Sequence, residues 1–248
     1  MISTGLSSIG NSKIEVQASA GNAEGLGYHV VWKPLTRVPR WKRAMDFCVG
    51  TFAIIALSPV WLSAVLAIAL SDPGPILFRQ IRVGRNEKTY AMFKFRTMHQ
   101  ASDPDSSQSE LDREIFINEL TGTSAPDPNS GLFRPAEHPR VTGIGKFLRR
   151  YSIDELPQLI NVLRGEMSLV GPRPALPWEV ELLNKDQRRR HAVLPGMTGL
   201  WQVSGRNRLS SAQMFALDLE YIDRCSFKTD LKILLSTPLA VMWDRHTG

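Results

Sequence analysis

The sequence predicts an α+β protein, mainly helical: a membrane-associated domain with an N-terminal re-entrant membrane helix broken at a Ser-Pro step, a small β-hairpin and interfacial helices. Three observations predict it. The run "FCVGTFAIIALSPVWLSAVLAIAL", Phe47 to Leu70, carries no acidic or basic residue and is long enough for a bilayer. The stretch "DPGPILFRQIRVGRNEKTYAMFKFRTM" alternates on either side of "VGRNEK", the pattern of two strands and a turn. From Val141 onward, short helical patterns are punctuated by proline and glycine.

The hydrophobic run is justified first. Ser58-Pro59 falls near its midpoint, where proline removes a backbone donor and kinks or breaks a helix. Both flanks are basic, "RVPRWKR" before and "FRQIRVGR" after. The positive-inside rule places such flanks in the cytoplasm, and a single crossing satisfies only one of them. A re-entrant hairpin over 47–70 satisfies both. Each arm of roughly 11 residues spans about 16 Å, about half of a hydrocarbon core of roughly 30 Å. The Ser58 hydroxyl is a local partner for carbonyls freed at the break. A proline-kinked crossing helix and a buried helix of a soluble core are the alternatives.

Ahead of this run, residues 1–38 are small, polar and glycine-rich, without the charged start and apolar core of a cleaved signal; a disordered tail is expected. Residues 39–248 form the expected domain. Its hairpin is cationic, with Arg79, Arg82, Arg85, Lys88, Lys94 and Arg96 suited to lipid headgroups or a diphosphate, or to plain solvation. Residues 100–140 read as a polar insertion with one short helix at "SELDREIFINEL". The net charge of +6 favours an anionic partner: nucleic acid, membrane surface or phosphorylated substrate. Cys48 and Cys225 stand outside any metal-ligand spacing and are expected to be reduced.

Beyond the insertion, "VTGIGKFLRRYSIDELPQLINVLRG" gives two short helices, the second closing at Gly165. The prolines of "GPRP" exclude regular structure and place Arg173 on a stiff loop. A helix rich in Arg188, Arg189 and Arg190 leads into "LPGMTGLWQVSGR", whose glycines permit tight turns and close ligand approach, with Arg206 at its end. "TDLKILLSTPLAVMW" is expected as an interfacial or core helix.

The adjacent acids Asp154 and Glu155 have two readings. "SIDE" matches a capping box with Ser152 as cap, while Pro157 suits a register capped by Asp154; either way one carboxylate is left over. Beside Arg149 and Arg150 at a helix start, an ionised carboxylate sits where phosphate oxygens are also attracted. An aspartate there could attack phosphorus, and a second carboxylate could help hold a divalent ion on a diphosphate.

From "KRAMDF" to "DLKILL" the chain resembles the bacterial sugar transferases, the monotopic phosphoglycosyl transferases. The motifs are the Ser-Pro-broken run, "DPGPILFRQIRVGRN", "FKFRTM", "LRRYSIDELPQLINVLRGEMSLVGPRP" and "LPGMTGLWQVSGR". The resemblance implies transfer of a sugar 1-phosphate from a UDP-sugar to undecaprenyl phosphate at the cytoplasmic face of the bacterial inner membrane, releasing UMP and requiring Mg2+. It implies Asp154 as nucleophile and metal ligand, Glu155 as its partner, and Arg149, Arg173 and Arg206 as substrate contacts. The chain resembles the short form of the family, although its tail and insertion depart in length from the smallest members. A hexose such as galactose or glucose ranks first as the sugar, an N-acetylated sugar next, and a homodimer would be unsurprising. Two other classes are a non-catalytic basic membrane-anchored scaffold and a nucleic-acid binder; no nucleic-acid module supports the latter.

Overall fold

A computed structural model describes residues 38–99, 140–205 and 209–243, the strands before them, and residues 113 and 116–118 of the insertion. It is mainly helical with small sheets. The segment expected as a disordered tail holds strands β1 (Ser8–Ile9), β2 (Ser12–Ser19) and β3 (Gly27–Trp32), paired antiparallel with Val16 opposite Val30. Ile14, Val16, Val30 and Val31 are β-branched residues that favour strands, a local signal that the glycine and serine content of the segment outweighed in the sequence reading.

Helix α1 (Arg40–Ala56) and helix α2 (Ser58–Ser71) meet at Leu57 with a bend of 60°. Pro59 lies in the first turn of α2, where a missing donor costs nothing because those amides have no helical acceptor. The Ser63 hydroxyl, rather than that of Ser58, bonds a carbonyl beside the break, donating to Pro59 O at 2.8 Å. Among the described residues no single helix is long and apolar enough to cross a membrane; by length and composition this bent pair passes together, as a broken span or a re-entrant loop.

The two ends of α1 differ. Lys42, Met45, Asp46 and Gly50 are buried in the domain, whereas Phe47, Phe52 and Ile55 are exposed. Lys42 Nζ donates to Val170 O at 2.9 Å and Tyr221 Oη at 2.9 Å and pairs with Asp230 Oδ2 at 2.5 Å. Asp46 accepts from Ser168 Oγ at 2.8 Å and from Leu169 N at 2.9 Å. Burial raises the Asp46 carboxyl above its ordinary range, and these bonds together with Lys42 oppose the rise.

The hairpin forms as expected, β4 (Leu77–Val83) against β5 (Thr89–Phe95), through a turn in which Asn86 takes positive φ. Next come α3 (Gly143–Arg150) and α4 (Gln158–Arg164). Thr142 caps α3 by accepting from Gly145 N at 2.8 Å, and Gly165 closes α4 with φ 81°. Asn161, fully buried on α4, stands in for a strand neighbour: it accepts from Phe93 N at 3.1 Å and donates to Ala91 O at 2.8 Å. One pairing has no counterpart in the sequence reading. Strands β6 (Ser168–Val170) and β7 (Gly196–Thr198) run parallel and flank the "GPRP" loop. A Cβ on Gly196 would lie 2.1 Å from Gly171 N, so glycine is needed where these backbones touch.

Short helices α5 (Pro177–Leu182), α6 (Lys185–Arg188) and α7 (Leu200–Ser204) precede α8 (Ser211–Arg224) and α9 (Phe227–Trp243). The main core gathers Met92, Val162, Met167, Val170, Tyr221 and Ile233. Phe227, Leu231, Leu235 and Leu239 recur every fourth residue of α9 and are exposed, an apolar stripe along one helix face. Most of the expected insertion, residues 100–140, lies outside the described residues. Its Phe116 is buried edge-on against Trp178, with Leu183 and Phe215 beside it.

Candidate active site

The Asp154–Glu155 pair stands in a turn of its own. After α3 the chain takes a left-handed step at Ser152, φ 55°, and then makes one 3-10 turn over Ile153–Glu155. Helix α4 begins only after Pro157, whose φ of −60° is already helical. Both capping registers are therefore corrected. Ser152 makes no side-chain capping bond, and the acids stand ahead of α4 rather than in its first turn. The missing N–H of Pro157 explains this: at the boundary it disrupts no helical bond, whereas further in it would.

The turn is anchored from below by apolar contacts. Ile153 and Leu156 pack with Leu148 of α3 and Phe95 of β5 against Ala64 and Ile68 of α2. Trp61 of α2 meets Phe95 edge-on at 5.4 Å. Asp154 is 7% exposed, so its carboxyl is largely shielded from bulk water. Glu155 Oε1 takes Lys94 Nζ of β5 at 3.1 Å. Arg149 is near the turn in sequence, and its Nε donates to Thr97 Oγ1 at 2.9 Å.

Arg173 reaches the same neighbourhood from the loop between β6 and α5. Burial, then repulsion from Arg82, pushes its guanidinium down to about 10, still cationic at neutral pH; Glu179 and Glu155 oppose the shift and Arg190 adds to it. Arg82, buried on β4, is also lowered by burial and supported by Glu179, Tyr90 and Glu155. The charge of Glu155 thus acts on both guanidiniums. Cations crowded together in partly desolvated surroundings favour an anion such as a diphosphate, which would relieve their repulsion.

Of the residues expected from sequence, Glu155 and Arg173 are coupled electrostatically, Asp154 adjoins Glu155 in the same turn and Arg149 lies on the preceding helix; Arg206 lies outside the described residues. Arg82 and Lys94 stood only as two members of a basic hairpin, and their alternation on the strands was the available signal. Arg190 and Asp218 were not anticipated as a pair, because they are brought together by folding. Arg190 Nη2 lies 2.7 Å from Asp218 Oδ2.

The donor set bears on Mg2+. Among the described residues no group of three or more His, Cys, Asp and Glu side chains could hold a metal. Two adjacent carboxylates nevertheless suit this ion, which is commonly held by one or two carboxylates with substrate phosphates and water completing the shell. The residues fit a metal that arrives with a phosphorylated substrate.

The profile of the family described as bacterial sugar transferase matches residues 37–244. The exopolysaccharide production protein ExoY of Sinorhizobium fredii is 39% identical over 204 residues, 82% of this chain and 86% of that protein. The galactosyl transferase CpsE of Streptococcus agalactiae is 41% identical over 204 residues, 81% of this chain and 42% of that protein. The UDP-glucose:undecaprenyl-phosphate glucose-1-phosphate transferase of Escherichia coli is 38% identical over 213 residues, 82% of this chain and 41% of that protein. The chain spans less than half the length of these last two. The match takes in both helices of the bent pair, the basic hairpin and the acidic turn alike, and the chain belongs to the bacterial sugar transferase family.

Proposed function

We propose that this enzyme transfers a hexose 1-phosphate from a UDP-sugar to undecaprenyl phosphate and releases UMP, as the first membrane step of exopolysaccharide or related glycan assembly. The observation that carries the reading is the Asp154–Glu155 turn, held apart from both flanking helices, with Lys94 on Glu155 and the Glu155 charge acting on Arg82 and Arg173. An Asp154 carboxylate oxygen attacks the phosphorus that bears the sugar; a P–O bond forms to Asp154 as the bond to the UMP oxygen breaks. The lipid phosphate oxygen then attacks the same phosphorus, freeing the carboxylate and yielding the diphosphate-linked sugar. Glu155, oriented by Lys94, assists metal and phosphate placement, and Arg149, Arg173 and Arg206 contact phosphate oxygens. Asp154 and Glu155 would hold Mg2+, which when bound neutralises charge building on the diphosphate.

The enzyme resides at the cytoplasmic face of the bacterial inner membrane. Supporting this, Phe52, Ile55, Leu62, Leu66 and Leu70 expose apolar side chains along α1 and α2, and the α9 stripe adds more. The exposed apolar surface is larger than scattered single residues would give, as expected of a membrane-contacting surface.

The test uses the full chain in detergent with undecaprenyl phosphate, Mg2+ and a panel of UDP-sugars. UMP release is expected with UDP-glucose or UDP-galactose, and Asp154→Asn should lower it by at least about a thousandfold. Full turnover by that variant would refute the nucleophile assignment. No UMP from any donor would instead support the non-catalytic scaffold reading.

A further inference from the structure

We infer that Asp218 and Arg190 are positioning residues for Arg173, acting through the main chain of its loop; the inference rests on the reading of Arg173 as a phosphate contact. Pro172 and Pro174 have no N–H to give, so beyond Gly171 N, which donates to Thr198 O at 2.9 Å, the loop has few amides of its own to order it. Order is imposed from outside, on four consecutive carbonyls. Pro172 O accepts from Gly196 N at 2.8 Å and Ala175 O from Val83 N at 2.8 Å. Between them, Pro174 O accepts from Arg82 Nη1 at 3.1 Å and Arg173 O from Arg190 Nη2 at 2.9 Å.

The two main-chain donors come with strands β7 and β4 and use no side-chain atom. The two guanidinium donors do, and each is held in turn. Gln80 Oε1 accepts from Arg82 at 2.7 and 3.2 Å. Asp218, 1% exposed on α8, takes Arg190 at 2.7 Å while the Phe215 ring lies 5.0 Å from the guanidinium carbon. Removing the counter-charge of a buried ion pair leaves the guanidinium uncompensated and favours its moving away. Arg82 and Arg190 both depress Arg173, so mutual repulsion works to spread the three groups, and the clamped main chain opposes it. Without the Asp218 charge, Arg190 is free to turn into the pocket that Glu179, Trp201 and Phe215 line beside Arg173.

The experiment is a mutant cycle read by UMP release, with thermal midpoints measured in parallel. Asp218→Asn should lower kcat/KM by about 10–100-fold, the effect of a misplaced binding group. In an Arg173→Ala background the same change should cost less than about twofold in kcat/KM, although its thermal shift persists. Arg190→Lys keeps the charge, but its nitrogen ends where the guanidinium carbon stands, short of the point at which Nη2 meets both Arg173 O and Asp218; it serves if Asp218→Asn fails to fold, and it too should be silent behind Arg173→Ala. Full activity in either variant, or losses that multiply with Arg173→Ala, would overturn the positioning role while leaving the Arg173 reading intact. Full activity of Arg173→Ala itself would overturn both.

Discussion

Replacing Lys42 by Met examines how α1 is rooted in the domain. Its ammonium makes three polar contacts, with Val170 O, Tyr221 Oη and Asp230, and the Lys42 and Asp230 side chains are 3% and 0% exposed. Deleting one member of such a buried pair leaves the other charge uncompensated, at about 3–5 kcal/mol. For a domain of this size, that lowers the thermal midpoint by on the order of 10 °C. Burial already raises Asp230 above its ordinary value while Lys42 pulls it back, so the single variant raises it further. A carboxyl raised in the folded state favours folding below its unfolded pKa, and that advantage is lost as pH rises through the folded pKa. The deficit of Lys42→Met should therefore shrink on acidification. Adding Asp230→Asn removes the stranded charge and should recover more than half of the loss. Thermal unfolding of the parent chain and the two variants at pH 7.5 and 5.0 measures this. A single-variant cost below about 1 kcal/mol, or a double variant less stable than Lys42→Met, would refute the argument.

Two further predictions are independent of it. Burial, followed by Arg190 and Arg188, pushes His191 down to about 4. Its neutral form thus stabilises fully above the unfolded value of about 6.5 and progressively less as pH falls towards 4, by about 2 kcal/mol at pH 5; His191→Gln should flatten that slope in urea unfolding, and an unchanged slope would refute it. Single cysteines placed before Phe47 and after Leu70, in a chain lacking both Cys48 and Cys225, should both react only with a cytoplasmic reagent. Labelling from opposite sides would mean a true crossing.

What could be read in advance follows the reach of the chemistry involved. Pro59, Gly165 and the prolines of "GPRP" act on their own backbone, so the helix break, the end of α4 and the irregular loop were all legible. The hairpin was legible because alternation is a local signal. The parallel pairing of β6 with β7 was not, since it depends on contact between Gly171 and Gly196 that no short window displays. Lys42 stood only as part of a basic flank and Asp46 carried no local signal, and their partners Asp230, Tyr221 and Ser168 lie more than a hundred residues away. Asn161 resembles any polar residue of a short helix until β5 is laid beside it. At the acidic turn, local rules offered two caps and the fold uses neither, because a left-handed Ser152 ends one element before Pro157 begins the next.

In the proposed reaction, the apolar layer joining α2 to the acidic turn bears on how the two substrates meet. Ala64 and Ile68 touch the same cluster as Ile153 and Leu156, one residue on either side of the dyad. With α2 seated in lipid as proposed, no hinge separates the part that senses membrane depth from the part that does the chemistry. The enzyme then works as a fixed-height tool: the level at which a carrier phosphate meets Asp154 is set by one layer of side chains. Shaving that layer, at Ile68 for instance, would change the vertical registration between nucleophile and carrier while leaving the nucleotide side of the site in place.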